Sequence, residues 1–198
     1  INYARLSGAL PLPAARSLAR VLGRFACAVV PNLRPVIIEH LDLAYGDRLP
    51  YKEKRRIARE SVINMATVAS ELIRVPEIDE EFVKREVEVQ GAENLDWSRG
   101  GLIIGAHHGN WEWIAPIVRT MHPKVAEVVR PLDDPRLNAF VDNMRRGNGV
   151  LTVPKAGAGP EIIRLLRAGY HVGVLIDQSP RENAVPVKFF GQRCWTTV

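Results

Sequence analysis

The chain has 198 residues, 46% hydrophobic and 25% charged, the balance of an ordinary globular domain, which excludes global disorder and low-complexity architectures. Its net charge of +5 suits anionic surfaces or ligands, but no arginine-rich arm or aromatic platform raises it to a nucleic-acid-binding signal. The two cysteines, Cys27 and Cys194, lie far apart without a CxxC spacing, so they form neither a disulfide framework nor a zinc motif and read as small hydrophobic residues of a reducing compartment.

The first predicted element is a helix between Pro13, which suits a helix start, and Pro31, which stops it. Leu18, Leu22, Phe25 and Val29 share one face of it, and Arg16, Arg20 and Arg24 form a basic stripe. No acidic residue occurs between Ile1 and Ile38. Such a helix either lies in a membrane interface or packs as a surface helix on the core, and spacing alone leaves both open. No run is apolar enough to span a bilayer, and no signal peptide is visible. From the start at Ile1 and the strand-like run 194–198, we expect the chain to be a piece of a longer protein.

A short helix is expected over Arg34–Ala44, closed by Gly46, and a long one over Pro50–Arg74 with Ala58, Val62, Met65, Ala69 and Leu72 on one face. The charged start of the long helix, Tyr51–Arg56, reads as a solvated helix end rather than a docking site. Beyond Pro76, strands are expected at Val87–Gly91, Gly101–Ala106, Val125–Val129, Val150–Val153, Val172–Ile176 and Val185–Phe190. Helices fall between them: one begins at Asp134–Pro135 with Leu137, Phe140, Val141 and Met144 inward, another runs from Gly159 to Ala168.

This order predicts an α/β fold, a helical N-terminal region followed by a mixed, largely parallel sheet flanked by helices. We expect one domain over 1–198, with a membrane-associating segment over 1–30 and an α/β catalytic core over 80–198. Ligand sites in such sheets gather at the carboxyl ends of strands, which singles out His107, Arg130, Lys155 and Asp177.

The segment His107-His108-Gly109-Asn110-Trp111-Glu112 follows a buried-type strand and opens a helix. A histidine there can take a proton at neutral pH, and a carboxylate nearby can fix its tautomer and stabilise its cation. A base of this kind accelerates attack by a hydroxyl group typically by ~10²–10⁴-fold. The backbone N–H groups of Gly109 and Asn110 are candidates to face an oxyanion. The same residues also fit a structural histidine pair, and His108 with Glu112 has the i, i+4 spacing of helical metal ligands, but no HExxH and no third ligand at a defined spacing accompany it.

Leu102–Glu112 resembles the HxxxxD/E block of the glycerolipid-type acyltransferase superfamily, and most resembles the bacterial lipid A late acyltransferases, the lauroyl and myristoyl transferases. Three further blocks agree in order: Val129-Arg-Pro-Leu-Asp-Asp-Pro135, Val174-Leu-Ile-Asp-Gln178 and Val187-Lys-Phe-Phe-Gly191. Asp134 stands where the family commonly has Asn. Glu71–Arg74 and Val89–Leu95 are also similar to family segments.

The resemblance implies that His107 is the general base and Glu112 its acidic partner, with His108 at a variable position. It implies that Arg130 serves the phosphate region of donor or acceptor. Asp177 orients a neighbouring group, and Phe189 and Phe190 pack beneath the cleft. The co-substrate would be an acyl thioester of acyl carrier protein or coenzyme A, with no cofactor or metal. The acceptor would be a hydroxyl of a membrane glycolipid, reached from the cytoplasmic face of the bacterial inner membrane through the basic amphipathic helix. Competing readings are the same chemistry on mannosylated phosphatidylinositol, a non-catalytic membrane scaffold, and a metal-dependent hydrolase using His107, His108 and Glu112. The presence of a lipid A pathway, the effect of His107→Ala, and metal analysis separate them in turn.

Overall fold

The structure, a computed structural model, describes residues 10–178 and 184–197. The first nine residues of the segment expected over 1–30 lie outside them, as does Val198. The chain forms two compact units, residues 1–73 with 178–198 and residues 74–177.

In the first unit, α1 (Leu12–Val29), α2 (Leu33–Tyr45) and α3 (Tyr51–Leu72) follow one another, with a 3₁₀ turn at Gly46–Arg48. After Leu12, the face that α1 buries is made of small residues, Ala15, Ala19, Gly23 and Cys27. It lies antiparallel against α3: Arg16 Nε donates to Glu71 Oε1 at 2.6 Å, and Cys27 Sγ lies 3.8 Å from the Arg59 carbonyl. At Gly23 a Cβ would stand 2.9 Å from the Ile63 Cα, so only glycine permits this approach. The large apolar residues grouped by periodicity are left outside: Leu22, Phe25 and Val29 are exposed. On α3 the buried set is Lys54, Ala58, Ile63, Val68, Ser70 and Glu71, whereas Met65 and Ala69 face solvent. Close helix approach selects small side chains for the seam, and this overrides the face chosen by hydrophobicity. The buried Lys54 ammonium is matched by Asp42 Oδ1 at 2.5 Å and the Gly46 carbonyl at 2.6 Å, as a buried charge requires.

The second unit begins with a 3₁₀ turn at Val75–Glu77 and α4 (Glu80–Glu86), whose cap Asp79 accepts from the Phe82 N–H at 2.7 Å. Then come β1 (Gly101–Gly105), a 3₁₀ turn at Trp111–Trp113 leading into α5 (Ile114–Met121), β2 (Val125–Val129), α6 (Pro135–Gly147), β3 (Leu151–Pro154), α7 (Ala158–Arg167) and β4 (His171–Leu175). The four strands form one parallel sheet in the order β1-β4-β2-β3. The fold class is therefore the α/β arrangement expected. Val87–Gly91 is not a strand: its alternation gives it the look of one, but it joins no ladder. Ala126, Val153, Leu165 and Val172 form a core between the sheet and α7, and Ala115, Val125 and Val150 form a second one under α5. Cover on both faces explains the apolar runs of β2 and β4. Only Val141 and Met144 of the four residues expected inward on α6 are buried.

A last hairpin, β5 (Ala184–Phe189) and β6 (Gln192–Thr197), is antiparallel and groups with the helices of the first unit. Its two-residue turn places Phe190 and Gly191 at φ 50° and 77°, the signature of a type I′ connection. Phe189 and Phe190 are exposed, and Phe190 packs on the Tyr45 ring at 5.1 Å. Neither is buried as the packing role expected of them requires, because the chain uses Phe190 to turn the hairpin.

Candidate active site

The site is built where two neighbouring parallel strands end. Gly105 of β1 pairs with Leu175 of β4, and the Ile176 N–H donates to the Gly105 carbonyl at 3.3 Å. Two residues past this pair, His107 and Asp177 meet. The His107 backbone N–H donates to Asp177 Oδ2 at 2.8 Å, and its Nδ1 lies 2.7 Å from Asp177 Oδ1. An ionised carboxylate only accepts, so this bond places the proton on Nδ1 and leaves the Nε2 lone pair as the basic position. Burial pushes the Asp177 carboxyl up, but the hydrogen bonds from the His107 ring and backbone outweigh it and hold the group below its usual range.

After His107 the chain turns sharply. The His108 N–H donates to the Ala106 carbonyl at 2.8 Å, and Gly109 follows at φ +58°, a left-handed conformation that favours glycine. His108 is exposed. Asn110 then opens the 3₁₀ turn, its carbonyl accepting from the Trp113 N–H at 3.2 Å. The Trp111 ring meets the His107 ring edge-on at 5.1 Å, and its Nε1–H donates to Glu112 Oε1 at 3.2 Å.

Glu112 is held from its other side. Arg145 of α6 donates Nε to Oε2 at 3.0 Å and Nη2 to Oε1 at 2.7 Å, a two-armed clamp. The same Nε lies 3.3 Å from Glu127 Oε1 on β2. All three side chains are largely buried. For Arg145, burial acts to lower its pKa, but the bond and charge of Glu112, with the charges of Glu127 and Asp142, hold it above its usual value. Glu127 is pushed up to about 7, by burial first, with Arg145 opposing and the charges of Glu112 and Asp142 adding to the rise.

Sequence reasoning paired His107 with Glu112. The structure gives the Nδ1 contact to Asp177 and commits the Glu112 carboxylate to Arg145 and Trp111. Glu112 is linked to the imidazole through the Trp111 ring. Arg130 stands apart, two-thirds exposed and 3.7 Å from Asp133. Lys155, also at a strand end, continues the sheet by donating its backbone N–H to the Val129 carbonyl at 2.8 Å.

Three residues of this cluster were missed. Arg145 sits in the last turn of a helix, where a cation commonly complements the dipole and attracts no notice. Trp111 looked like part of a motif rather than a bridge. Glu127 did leave a signal: it is a lone carboxylate inside Val125-Ala-Glu-Val-Val129, an otherwise apolar strand.

Fold and site together define an α/β protein with an imidazole–carboxylate pair at the carboxyl edge of a parallel sheet. The chain belongs to the bacterial lipid A biosynthesis acyltransferase family, whose model matches residues 1–198. Membership makes it an acyltransferase of lipid A-type glycolipid assembly. A search of curated proteins found no match.

Proposed function

We propose that this protein transfers a fatty acyl chain from a thioester of acyl carrier protein or coenzyme A to a hydroxyl of a lipid A precursor, with His107 as general base. The observation that carries this reading is the 2.7 Å contact between His107 Nδ1 and Asp177, which leaves Nε2 able to accept a proton. As the acceptor oxygen attacks the thioester carbon, its proton passes to Nε2. The C–S bond then breaks, the imidazolium returns the proton to the departing sulfur, and an ester and a free thiol result. No cofactor enters, because one imidazole carries the only proton that moves.

Asp177 fixes the tautomer and stabilises the imidazolium. Glu112, clamped by Arg145, positions Trp111 against the imidazole ring and so supports the base indirectly. The N–H groups of Gly109 and Asn110, two and three residues after His107, are the donors for the developing oxyanion. Arg130 offers an exposed cation to the phosphates of donor or acceptor. The outward Leu22, Phe25 and Val29 of α1 support contact with a membrane surface, at the cytoplasmic face of the inner membrane.

The test is transfer of a labelled acyl group from acyl carrier protein to a lipid A precursor. His107→Ala is expected to slow it by ~10²–10⁴-fold, whereas His108→Ala leaves it near wild type. Equal rates for wild type and His107→Ala would remove His107 from the chemistry.

A further inference from the structure

The antiparallel packing of α1 on α3 brings the end of α1 beside the start of α3, as the Cys27–Arg59 contact shows. The chain then turns, and the pair Leu12–Val29 and Leu33–Arg48 is bent by 88° at the break. Beside this corner lies a groove of about 520 Å³ lined by Arg34, Tyr51, Lys52, Arg55, Arg56 and Arg59, with Glu53 as its only carboxylate. Glu53 is taken by Arg56, whose Nε and Nη2 reach it at 3.0 and 2.6 Å. Arg59 pairs with Glu60 at 2.9 Å. Arg34, Lys52 and Arg55 have no ion-pair partner among the described residues.

Apolar side chains lie close to these cations in the chain. Leu33 directly precedes Arg34, Val29, Val30 and Val36 fall within five residues of it, and all four are exposed, as is Tyr51 at 64%. No single described helix is long and apolar enough to cross a membrane, but the bent pair passes by length and composition together. Cations alone would fit any acidic partner. Cations on a segment that also carries bare aliphatic side chains fit a surface whose charge lies just above hydrocarbon, with a tyrosine at the boundary. No carboxylate precedes Glu39 in the sequence, and Glu53 is matched by Arg56, so little repulsion opposes that contact.

We propose that this corner docks on anionic phospholipid: Arg34, Lys52 and Arg55 hold headgroup phosphates while Val29, Val30, Leu33 and Val36 enter the outer acyl region. The proposal deepens the membrane contact of the preceding section by naming its site and lipid class, and it rests on that contact but not on acyl transfer.

The test is co-sedimentation of the protein with phosphatidylcholine vesicles, with or without phosphatidylglycerol, so no acyl chemistry enters the readout. Wild type is expected to bind the mixed vesicles more tightly than phosphatidylcholine alone, and to lose that preference in high salt. The triple variant Arg34→Gln/Lys52→Gln/Arg55→Gln is expected to bind mixed vesicles roughly 100-fold more weakly. The charge-matched triple Lys84→Gln/Arg99→Gln/Arg136→Gln, on exposed positions of the other unit, is expected to bind like wild type. Val30→Ser/Leu33→Ser, which alters exposed residues only, weakens binding to both vesicle types and serves if the basic triple fails to fold by circular dichroism. Equal losses in the two charge triples, or wild-type binding by both the basic triple and Val30→Ser/Leu33→Ser, would overturn the proposal. Wild type that ignores the vesicles yet binds a soluble acidic protein through these cations would also overturn it.

Discussion

Arg145 grips Glu112 with two nitrogens while its Nε also faces Glu127, so one guanidinium holds two buried carboxylates from a turn and a strand. Removing it leaves both carboxylates without their cation. Arg145→Ala is expected to lower stability by about 3–5 kcal/mol, the usual cost of breaking a buried pair from one side. Arg145→Lys restores the charge but not the fork, and is expected to fall between the two. Urea unfolding monitored by tryptophan fluorescence measures all three; an Arg145→Ala protein as stable as wild type would show that the clamp carries no stability.

Asp177→Asn tests the tautomer. The amide oxygen can still accept from the His107 backbone N–H, but its NH₂ faces Nδ1 and favours the form protonated at Nε2. Acyl transfer is expected to fall by ~10²–10⁴-fold with little change in substrate affinity, since only the base is disabled. A loss confined to KM would assign Asp177 to substrate binding instead.

Glu127 makes stability fall as pH rises. Its folded pKa, about 7, lies above the ordinary glutamate value of 4.5, so between the two the folded protein holds a proton that the unfolded chain has released. The contribution is fully present below 4.5 and is lost as pH climbs through about 7. Glu127→Gln stays neutral throughout and is expected to be more stable than wild type at pH 8, by roughly 3 kcal/mol at most, and to flatten this slope. Denaturant midpoints at pH 5 and pH 8 decide it: an unchanged slope would mean that Glu127 is ionised in both states.

Gly23→Ala tests the seam between α1 and α3. The new methyl would meet the Ile63 Cα at 2.9 Å and the Ala66 Cβ at 3.1 Å, both on α3. The helices must part, and destabilisation by about 1–3 kcal/mol is expected, despite the gain in helix propensity. A thermal midpoint at or above wild type would show that the seam yields without cost.

Much of the α/β framework was readable from sequence because local patterns dictate it. Val125–Val129 was bounded to the residue, and the Asp134 cap accepts from the Arg136 and Leu137 N–H groups as its position before Pro135 implied. His107 was readable because a strand ends two residues before it. Its carboxylate partner was not, because Asp177 lies 70 residues away and meets it only if β4 inserts beside β1. Sequence order alone does not reveal that insertion. Glu112 was the nearest carboxylate along the chain, and proximity in sequence stood in for proximity in space. On α1, periodicity left open whether the large apolar face is buried; the structure turns Leu22, Phe25 and Val29 outward, because the packing partner required small residues.

The strand order also sets a timetable. β4 is the last strand of its unit to leave the ribosome, yet it occupies an interior place between β1 and β2. Until it arrives, those two strands present open edges to each other across a gap, a state prone to pairing with other chains. His107 is synthesised 70 residues before Asp177, so its bond to that carboxylate cannot form during the interval. The pairing of His107 with Asp177 therefore waits on closure of the sheet.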